Sequence, residues 1–535
     1  MRDVTRLIAL AIIAFTITAL AVTLDNPTVS DALARRFGLG GGTDDQRARM
    51  AESETIVRVG RPHPSAWLGL QGFPSQTIIR FPIPHDAGLI DGQVQLDLQS
   101  ELIEQGDGLL RIVINGIERD AIVLERGTHS HRLTYDLTPS DLAAGAIVVT
   151  LSGNGTTNYG QICPTNVTNL GAAIEVLPSS ALLLGLDKLP SGPASLAVLL
   201  PEPLNLGISA VPGPSAWATQ WLSRQGVPAV LTAGSGENVI TVAAEGSEAM
   251  SVSSGGALSL AGEKGVQELG KLRGAALPAS YGRQWPLPVD ALTTDLLTHT
   301  FRGSSRWSLK YKLADLPDGR APGGVSLSLR TSRLQQGNHW TVRVLLNGSL
   351  IHSENYPGDS DTISLTLSLP AELQGLSNEL AITLIDNTPN QGICRAGPEA
   401  AAQLLPASRL DASSSPVNNK QALVNELARG GRVSIGDVEG LAAAEYLAGM
   451  LDLILPLNTE VVFGPADGVP AVQVLNGEKV RSAAAGMPLA GPKNAFLVTP
   501  SSRVRPDGIE VVRLAEAGDV LEALDAASNV LLVTW

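Results

Sequence analysis

Between residues 55 and 180, apolar side chains fall on every second position. The runs Ile56-Val57-Arg58-Val59, Thr77-Ile78-Ile79-Arg80-Phe81, Val94-Gln95-Leu96-Asp97-Leu98 and Leu110-Arg111-Ile112-Val113-Ile114 each turn one face of an extended chain to a core and the other to water. They are predicted strands of an all-β unit. Asn115-Gly116 stands between the last run and Ile117. Both residue types tolerate positive φ, so a tight hairpin turn is expected there. After residue 181 the period changes. Short apolar runs at 195–200 and 239–243 read as strands, and between them Ser215 can cap a helix over 216–222 that Gly226 stops. Trp217 and Trp221, four apart on that helix, are expected to face a core. A second helix is predicted over 263–272. Strands alternating with helices indicate an α/β sheet.

The pattern then repeats at a nearly constant separation. Val94, Leu96 and Leu98 recur as Val325, Leu327 and Leu329, and Ile114-Asn115-Gly116 as Leu346-Asn347-Gly348. Leu133 and Leu137 match Leu365 and Leu369, Pro139 matches Pro370, and Leu177-Pro178 matches Leu405-Pro406. Gly160-Gln161-Ile162-Cys163 lines up with Gln391-Gly392-Ile393-Cys394. So many coincidences in one order indicate a duplicated β-unit. Helices over 419–428 and 439–453 and a strand at 461–463 follow the second copy. The expected organisation is β-unit (55–180), α/β-unit (181–300), β-unit (301–412) and α/β-unit (413–535).

The start of the chain differs from all of this. Arg2 and Arg6 precede the uncharged run 7–24, which has spanning length, while Ala19-Leu20-Ala21 also has the small-x-small form of a cleavage site. Residues 1–24 therefore read as a signal peptide or an N-terminal membrane anchor, and the rest as exported. Residues 25–54, with Pro27 and Gly40-Gly41-Gly42, read as a linker with a short helix at 30–37. No second apolar run of spanning length follows. The chain of 535 residues holds 55 Gly and 34 Pro, which fits many turns and short strands. A net charge of −14 without a Lys/Arg run argues against a nucleic-acid partner. Two cysteines, Cys163 and Cys394, and seven scattered histidines supply no disulfide framework, and no metal site is expected.

Sugar rings stack their C–H faces on aromatic side chains, with polar neighbours for their hydroxyls. The candidates for that role are Trp67, Tyr159, Trp307 and Trp340, although a core or sandwich-edge position is the more ordinary place for each of them. No catalytic residue is assigned. The chain has no phosphate loop, zinc-binding His-Glu-x-x-His helix or nucleophile elbow. Asp359-Ser360-Asp361 has the spacing of a glycosyltransferase metal pair but follows Pro357-Gly358, where solvated acids in a turn are ordinary. A glycosidase pair among 52 acids is a matter of spatial separation, which a sequence does not display.

The duplicated order, with these residues, resembles the family of periplasmic regulatory subunits of bacterial cellulose synthase, also called cyclic di-GMP-binding regulatory proteins. The segment Leu110-Arg111-Ile112-Val113-Ile114-Asn115-Gly116 is similar to that family's apolar strand ending in Asn-Gly. Asn158-Tyr159-Gly160-Gln161-Ile162-Cys163 is similar to its single-cysteine segment, and the stretch from Leu68-Gly69 to Ile79-Arg80-Phe81-Pro82-Ile83-Pro84 to its opening strand. The likeness runs from about residue 56 to the C-terminus and lies in order and duplication, not in one motif. It implies two jelly-roll-like, carbohydrate-binding-like β-sandwiches alternating with two flavodoxin-like α/β domains that bind no flavin or other cofactor. It further implies a non-catalytic periplasmic subunit whose partners are a multi-span cellulose synthase catalytic subunit, the inner membrane and the exported β-glucan chain. Members typically end in an interfacial helix and a transmembrane helix; nothing after Val530 has that character, so attachment is expected through residues 1–24 if they are retained. The family is often described as binding cyclic di-GMP, and Arg302-Gly303-Ser304-Ser305-Arg306 has the Arg-x-x-x-Arg spacing of one receptor class. The rest of that receptor pattern is absent, and an exported domain does not meet a cytosolic messenger, so two solvated arginines are expected. An independent periplasmic polysaccharide-binding protein is the alternative, and a glycoside hydrolase or lyase a third.

Overall fold

The computed structural model describes residues 55–535 apart from 63–66, 74, 85–87, 103–105, 158–171, 188–191, 209–211, 235–237, 254–255, 276, 294, 302, 389–399, 415–417, 437, 487–494, 502–506 and 526–527. The leader, the linker, Tyr159, Cys163, Cys394 and Arg302 lie outside the described residues. The described chain is mainly β-strand, arranged in six sheets.

Period-two alternation builds the first two sheets. Their strands are β1 (Thr55–Gly60), β2 (Gly69–Gln71), β3 (Ser75–Pro82), β4 (Leu89–Leu102), β5 (Gly106–Ile114), β6 (Ile117–Leu124), β7 (Gly127–Asp136), β8 (Ala146–Thr157), β9 (Ala172–Val176) and β10 (Ala181–Leu186). One sheet has the order β1-β10-β4-β9-β2 with β7 on the other edge of β4; the second is β3-β8-β5-β6. All their pairings are antiparallel. Val94, Leu96 and Leu98 of β4 share one core with Leu110, Ile112 and Ile114 of β5 across the sandwich. A short helix, α1 (Pro139–Leu142), closes the β7–β8 connection with a capping box between Thr138 and Asp141.

Next come α2 (Pro193–Leu199), β11 (Leu204–Gly207), α3 (Gly213–Arg224), β12 (Ala229–Thr232), β13 (Val239–Ala243), β14 (Met250–Val252), β15 (Leu258–Ala261) and α4 (Gly262–Leu272). The sheet order is β12-β11-β13-β15-β14, parallel except for the edge strand β14. Two expectations are corrected here. The apolar run 195–200 is helix α2, because Pro193 at its first turn presets helical φ, and so short a run carries no decisive period. Ser215 does not cap α3 but lies inside its first turn, donating its hydroxyl to the Gly207 carbonyl at 2.7 Å. Gly226, at φ 80°, ends the helix as expected.

The duplication then appears as topology. Strands β16 (Leu287–Pro288), β17 (His299–Phe301), β18 (Ser304–Lys312), β19 (Pro322–Thr331), β20 (His339–Leu346), β21 (Ser349–Pro357), β22 (Thr362–Ser368), β23 (Ser377–Asp386), β24 (Ala400–Leu404) and β25 (Arg409–Ala412) make two sheets. Their orders are β16-β25-β19-β24-β17, with β22 on the other edge of β19, and β18-β23-β20-β21. Strand for strand this repeats the first sandwich. Local devices repeat too. Asn115 and Asn347 have φ of 49° and 50°, and each Oδ1 accepts a backbone N–H from a neighbouring strand at 2.9 Å, from Val148 and Glu379 respectively. Ser180 accepts from the Asp97 N–H and donates to its carbonyl, and Ser408 does the same with Ser328. The strands also extend each sandwich beyond the expected limits: β10 runs to Leu186, and β16 and β17 precede residue 301 while pairing within the second sandwich.

The last unit comprises α5 (Asn419–Gly430), β26 (Arg432–Ile435), α6 (Gly440–Ile454), β27 (Glu460–Phe463), β28 (Ala471–Asn476), α7 (Gly477–Gly486), β29 (Phe496–Pro500), β30 (Ile509–Arg513), α8 (Gly518–Ala523) and β31 (Asn529–Thr534). Its sheet, β27-β26-β28-β31-β29-β30, is mixed: β26 is parallel to β27 and β28, while β31, β29 and β30 are joined antiparallel. The second sandwich and both α/β-units share one continuous core, the first sandwich has its own, and Val480, Leu497, Ala517 and Val530 form a small third cluster within the last unit. Helix α3 packs on α6, and Trp217, buried as expected, meets Phe463 edge to face at 5.9 Å. The Arg224 guanidinium joins three units by pairing with Asp315 and donating to the Leu455 carbonyl. Lys312 pairs with Asp452 at 2.7 Å, and Lys420 with Asp507 at 2.5 Å.

Candidate functional site

The four expected sugar-facing aromatics part company. Tyr159 lies outside the described residues. Trp307 and Trp340 have no exposed surface, because they occupy inward positions of β18 and β20. As platforms they are therefore corrected: a ring held between two sheets offers no face to a polysaccharide. Trp307 instead stacks on His299 at 4.9 Å between ring centres and 13° between planes. Trp67 remains, with half of its surface (50 %) exposed.

Trp67 precedes β2 and leans on Gly69. A Cβ at residue 69 would stand 3.0 Å from the indole and 1.9 Å from the Ile174 carbonyl oxygen, so the absence of a side chain permits this close approach. From Gly69 the antiparallel register leads across the sheet to Glu175, then Gln99, then Ser130. Glu175 and Gln99 point outward because their neighbours Ile174, Val176, Leu98 and Ser100 are fully buried. Burial depresses the Arg61 guanidinium below its usual value, and the charge of Glu175 partly offsets this.

The same outer face is already satisfied further along β4. Gln93 donates to Asp136 at 2.8 Å, and Gln95 to Asp97 at 3.2 Å. Arg132 holds Asp97 at 2.8 Å and is the largest influence keeping that carboxyl below the ordinary range. Gln99 and Ser130 make no side-chain hydrogen bond among the described residues and are both exposed. Sequence reasoning passed over Glu175, Gln99 and Ser130. The outward positions of Val94-Gln95-Leu96-Asp97-Leu98-Gln99 were legible, but which strands lie beside them was not.

Other polar clusters are engaged internally. Asp361 of the Asp-Ser-Asp turn is held by Arg333 through two contacts of 3.0 Å, both side chains exposed. Arg306 is paired with Glu379 at 2.9 Å. Ser305, His299 and Asp295 form a hydrogen-bonded series of 2.6 and 2.7 Å. A series of that kind can activate a serine, but Ser305 faces the sandwich interior beside Trp307 and ties β17 to β18. Among the described residues no group of three or more His, Cys, Asp or Glu could hold a metal ion, and no helix is long and apolar enough to cross a membrane.

No family model matches the chain, and no curated protein matches it. Solved structures similar to parts of it include a family 27 carbohydrate-binding module of Caldicellulosiruptor saccharolyticus in complex with mannohexaose, with 11 % identity over 26 % of this chain and 92 % of that one, at a TM-score of 0.16. An active-site mutant of a family two carbohydrate esterase from Clostridium thermocellum shows 13 % identity over 27 % of this chain and 34 % of its own, at 0.13. The Podospora anserina GH26-CBM35 β-(1,4)-mannanase shows 16 % identity over 30 % and 36 %, also at 0.13. The chain thus spans about a third of the esterase and mannanase chains. At these scores the likenesses carry no weight for fold or function.

Proposed function

We propose that this protein is an exported, non-catalytic subunit of an inner-membrane cellulose, or related β-glucan, synthase, with its β-sandwiches beside the emerging polysaccharide and its α/β-units as scaffold. The supporting observation is the repeat itself: two sandwiches of one topology, each followed by an α/β sheet. That order resembles the periplasmic regulatory family of cellulose synthase, in which the sandwiches are jelly-roll-like and the α/β domains flavodoxin-like. The multi-span catalytic subunit would be the protein partner, and residues 1–24 the membrane tether if uncleaved. No cyclic di-GMP site is assigned, since phosphate recognition needs free guanidinium forks and Arg306 is committed to Glu379.

The test is a mild-detergent pull-down of the tagged full chain from its native membranes, with co-purifying proteins identified by mass spectrometry. A multi-span glycosyltransferase at near-stoichiometric yield is expected. Its absence, where other membrane complexes survive, would overturn the subunit role and leave a free-standing polysaccharide-binding protein.

A further inference from the structure

We infer that only the first sandwich binds glycan, along the strip Trp67, Glu175, Gln99 and Ser130, and that its ligand is a neutral, β-linked glucan lying across the strands. This deepens the sugar-contacting role proposed above and rests on it. Three features of the strip carry the inference.

The first is availability. Along β4 the outward side chains change from mutually satisfied (Gln93, Gln95, Asp97) to unengaged (Gln99), and the unengaged end is the one level with Gly69, over which the Trp67 indole leans. An exposed aromatic and unengaged polar groups in one row are what a hydroxyl-rich ligand requires, since it must stack its C–H face and pair its hydroxyls. The second is extent. Gly69 to Ser130 is three strand steps, about 14 Å, which exceeds one pyranose ring and suits a short run of linked rings. A flat ribbon of equatorially linked hexoses would lay one ring on the indole and turn edge hydroxyls to the carboxylate, amide and hydroxyl that follow. The third is charge. Glu175 has the Arg61 charge beside it and the face's Arg132 is held by Asp97, while Glu101 on the same face of β4 is exposed and makes no ion pair among the described residues. A polyanionic glycan would meet repulsion there.

The duplicate makes the contrast. Matching the β9 and β24 registers places Leu296 where the first copy has Trp67, and Gln403 where it has Glu175. Gln403 folds back to donate to the Leu296 carbonyl at 2.8 Å, and Leu296 packs partly into the core. Arg330 and Thr362 replace Gln99 and Ser130. The row that is open in the first sandwich is aliphatic, self-bonded and cationic in the second.

The experiment is isothermal titration of the full chain, in mild detergent, with cellohexaose and separately with an oligogalacturonate of similar length. Cellohexaose is expected to bind at one site. Trp67→Ala should weaken it about tenfold or more, and Gln99→Ala severalfold. Leu297→Ala, an exposed position on the second sandwich, should leave affinity unchanged. Because Trp67 is half exposed, its variant is expected to fold, and circular dichroism checks this. Equal affinity of Trp67→Ala and parent, tighter binding of the acidic oligomer, or binding of neither would overturn the proposal. Synthase co-purification is scored without oligosaccharide, so either reading can fail while the other stands.

Discussion

Asp141 shows how one residue can give two copies of a fold different chemistry. Burial raises its carboxyl, but hydrogen bonds from the Thr138 N–H and hydroxyl and from Asn115, together with the Arg119 charge, outweigh this, and it titrates below the usual carboxylate value. Arg119 lies 2.6 Å away. In the second sandwich Asn347 instead donates to the Leu373 carbonyl and to Asn378, all neutral groups. A depressed folded value stabilises the protein above the unfolded value of about 3.9, and that contribution is lost as pH falls through the folded value. Asp141→Asn should therefore unfold at lower urea than the parent at pH 7, with the gap closing below about pH 4. Hydrogen exchange read on first-sandwich peptides measures this. A gap of constant size at pH 7 and 3 would show that the carboxylate charge is not the cause. The turn at Asn115-Gly116 and its duplicate were legible in sequence, since a dipeptide with two positive-φ-tolerant residues between apolar strands has few other structures. The partners of Asp141 were not, because Asn115 and Arg119 reach it from another hairpin.

At the scale of elements, the serine two residues after each Leu-Pro pair fastens the β9–β10 and β24–β25 turns to the central strands β4 and β19. Ser180 and Ser408 have no exposed surface, and each both accepts and donates a hydrogen bond with a single residue of its central strand. Removing either hydroxyl takes the serine partner from a backbone N–H, while the carbonyl of the same residue keeps the N–H of Leu177 or Leu405. Ser180→Ala and Ser408→Ala should each cost about 1–3 kcal/mol, the first confined to exchange in the first sandwich and the second to the larger core. Protection lost equally in both units would contradict this. The Leu177-Pro178 and Leu405-Pro406 match was visible as sequence, but the clamp behind it needed strand neighbours. Helix α2 was misread as a strand for a related reason. A run of a few apolar residues suits either period, and Pro193 is the start signal that distinguishes the helix.

For the whole molecule, four units by sequence become two bodies by packing. The first sandwich keeps its own core, while the second sandwich and both α/β-units merge, apart from the small cluster around Leu497 in the last unit. Urea unfolding followed by hydrogen exchange should show two transitions, with residues 55–186 leaving separately from 204–535. Arg224→Ala strands Asp315 and the Leu455 carbonyl at the three-unit junction, where the Arg224 side chain is 2 % exposed. It should destabilise the larger body by about 3 kcal/mol and leave the first sandwich unchanged. One cooperative loss of protection across all four units would refute the division. The arrangement also leaves the first sandwich as the copy free to specialise, in keeping with the strip proposed for it.

Alternation, turn dipeptides and duplication determined the strands, the Asn-Gly hairpins and the order of units, because each is a matter of neighbours along the chain. Tertiary structure alone decided that Trp307 and Trp340 are core while Trp67 is open, and that Gln99 lies level with Gly69, on which the Trp67 indole leans. It also decided that Arg224 locks three units together. The physical reason is common to all three. A tryptophan on an alternating strand fits either face equally well, and a polar side chain is free or engaged only according to what the adjoining strand, distant in sequence, places beside it.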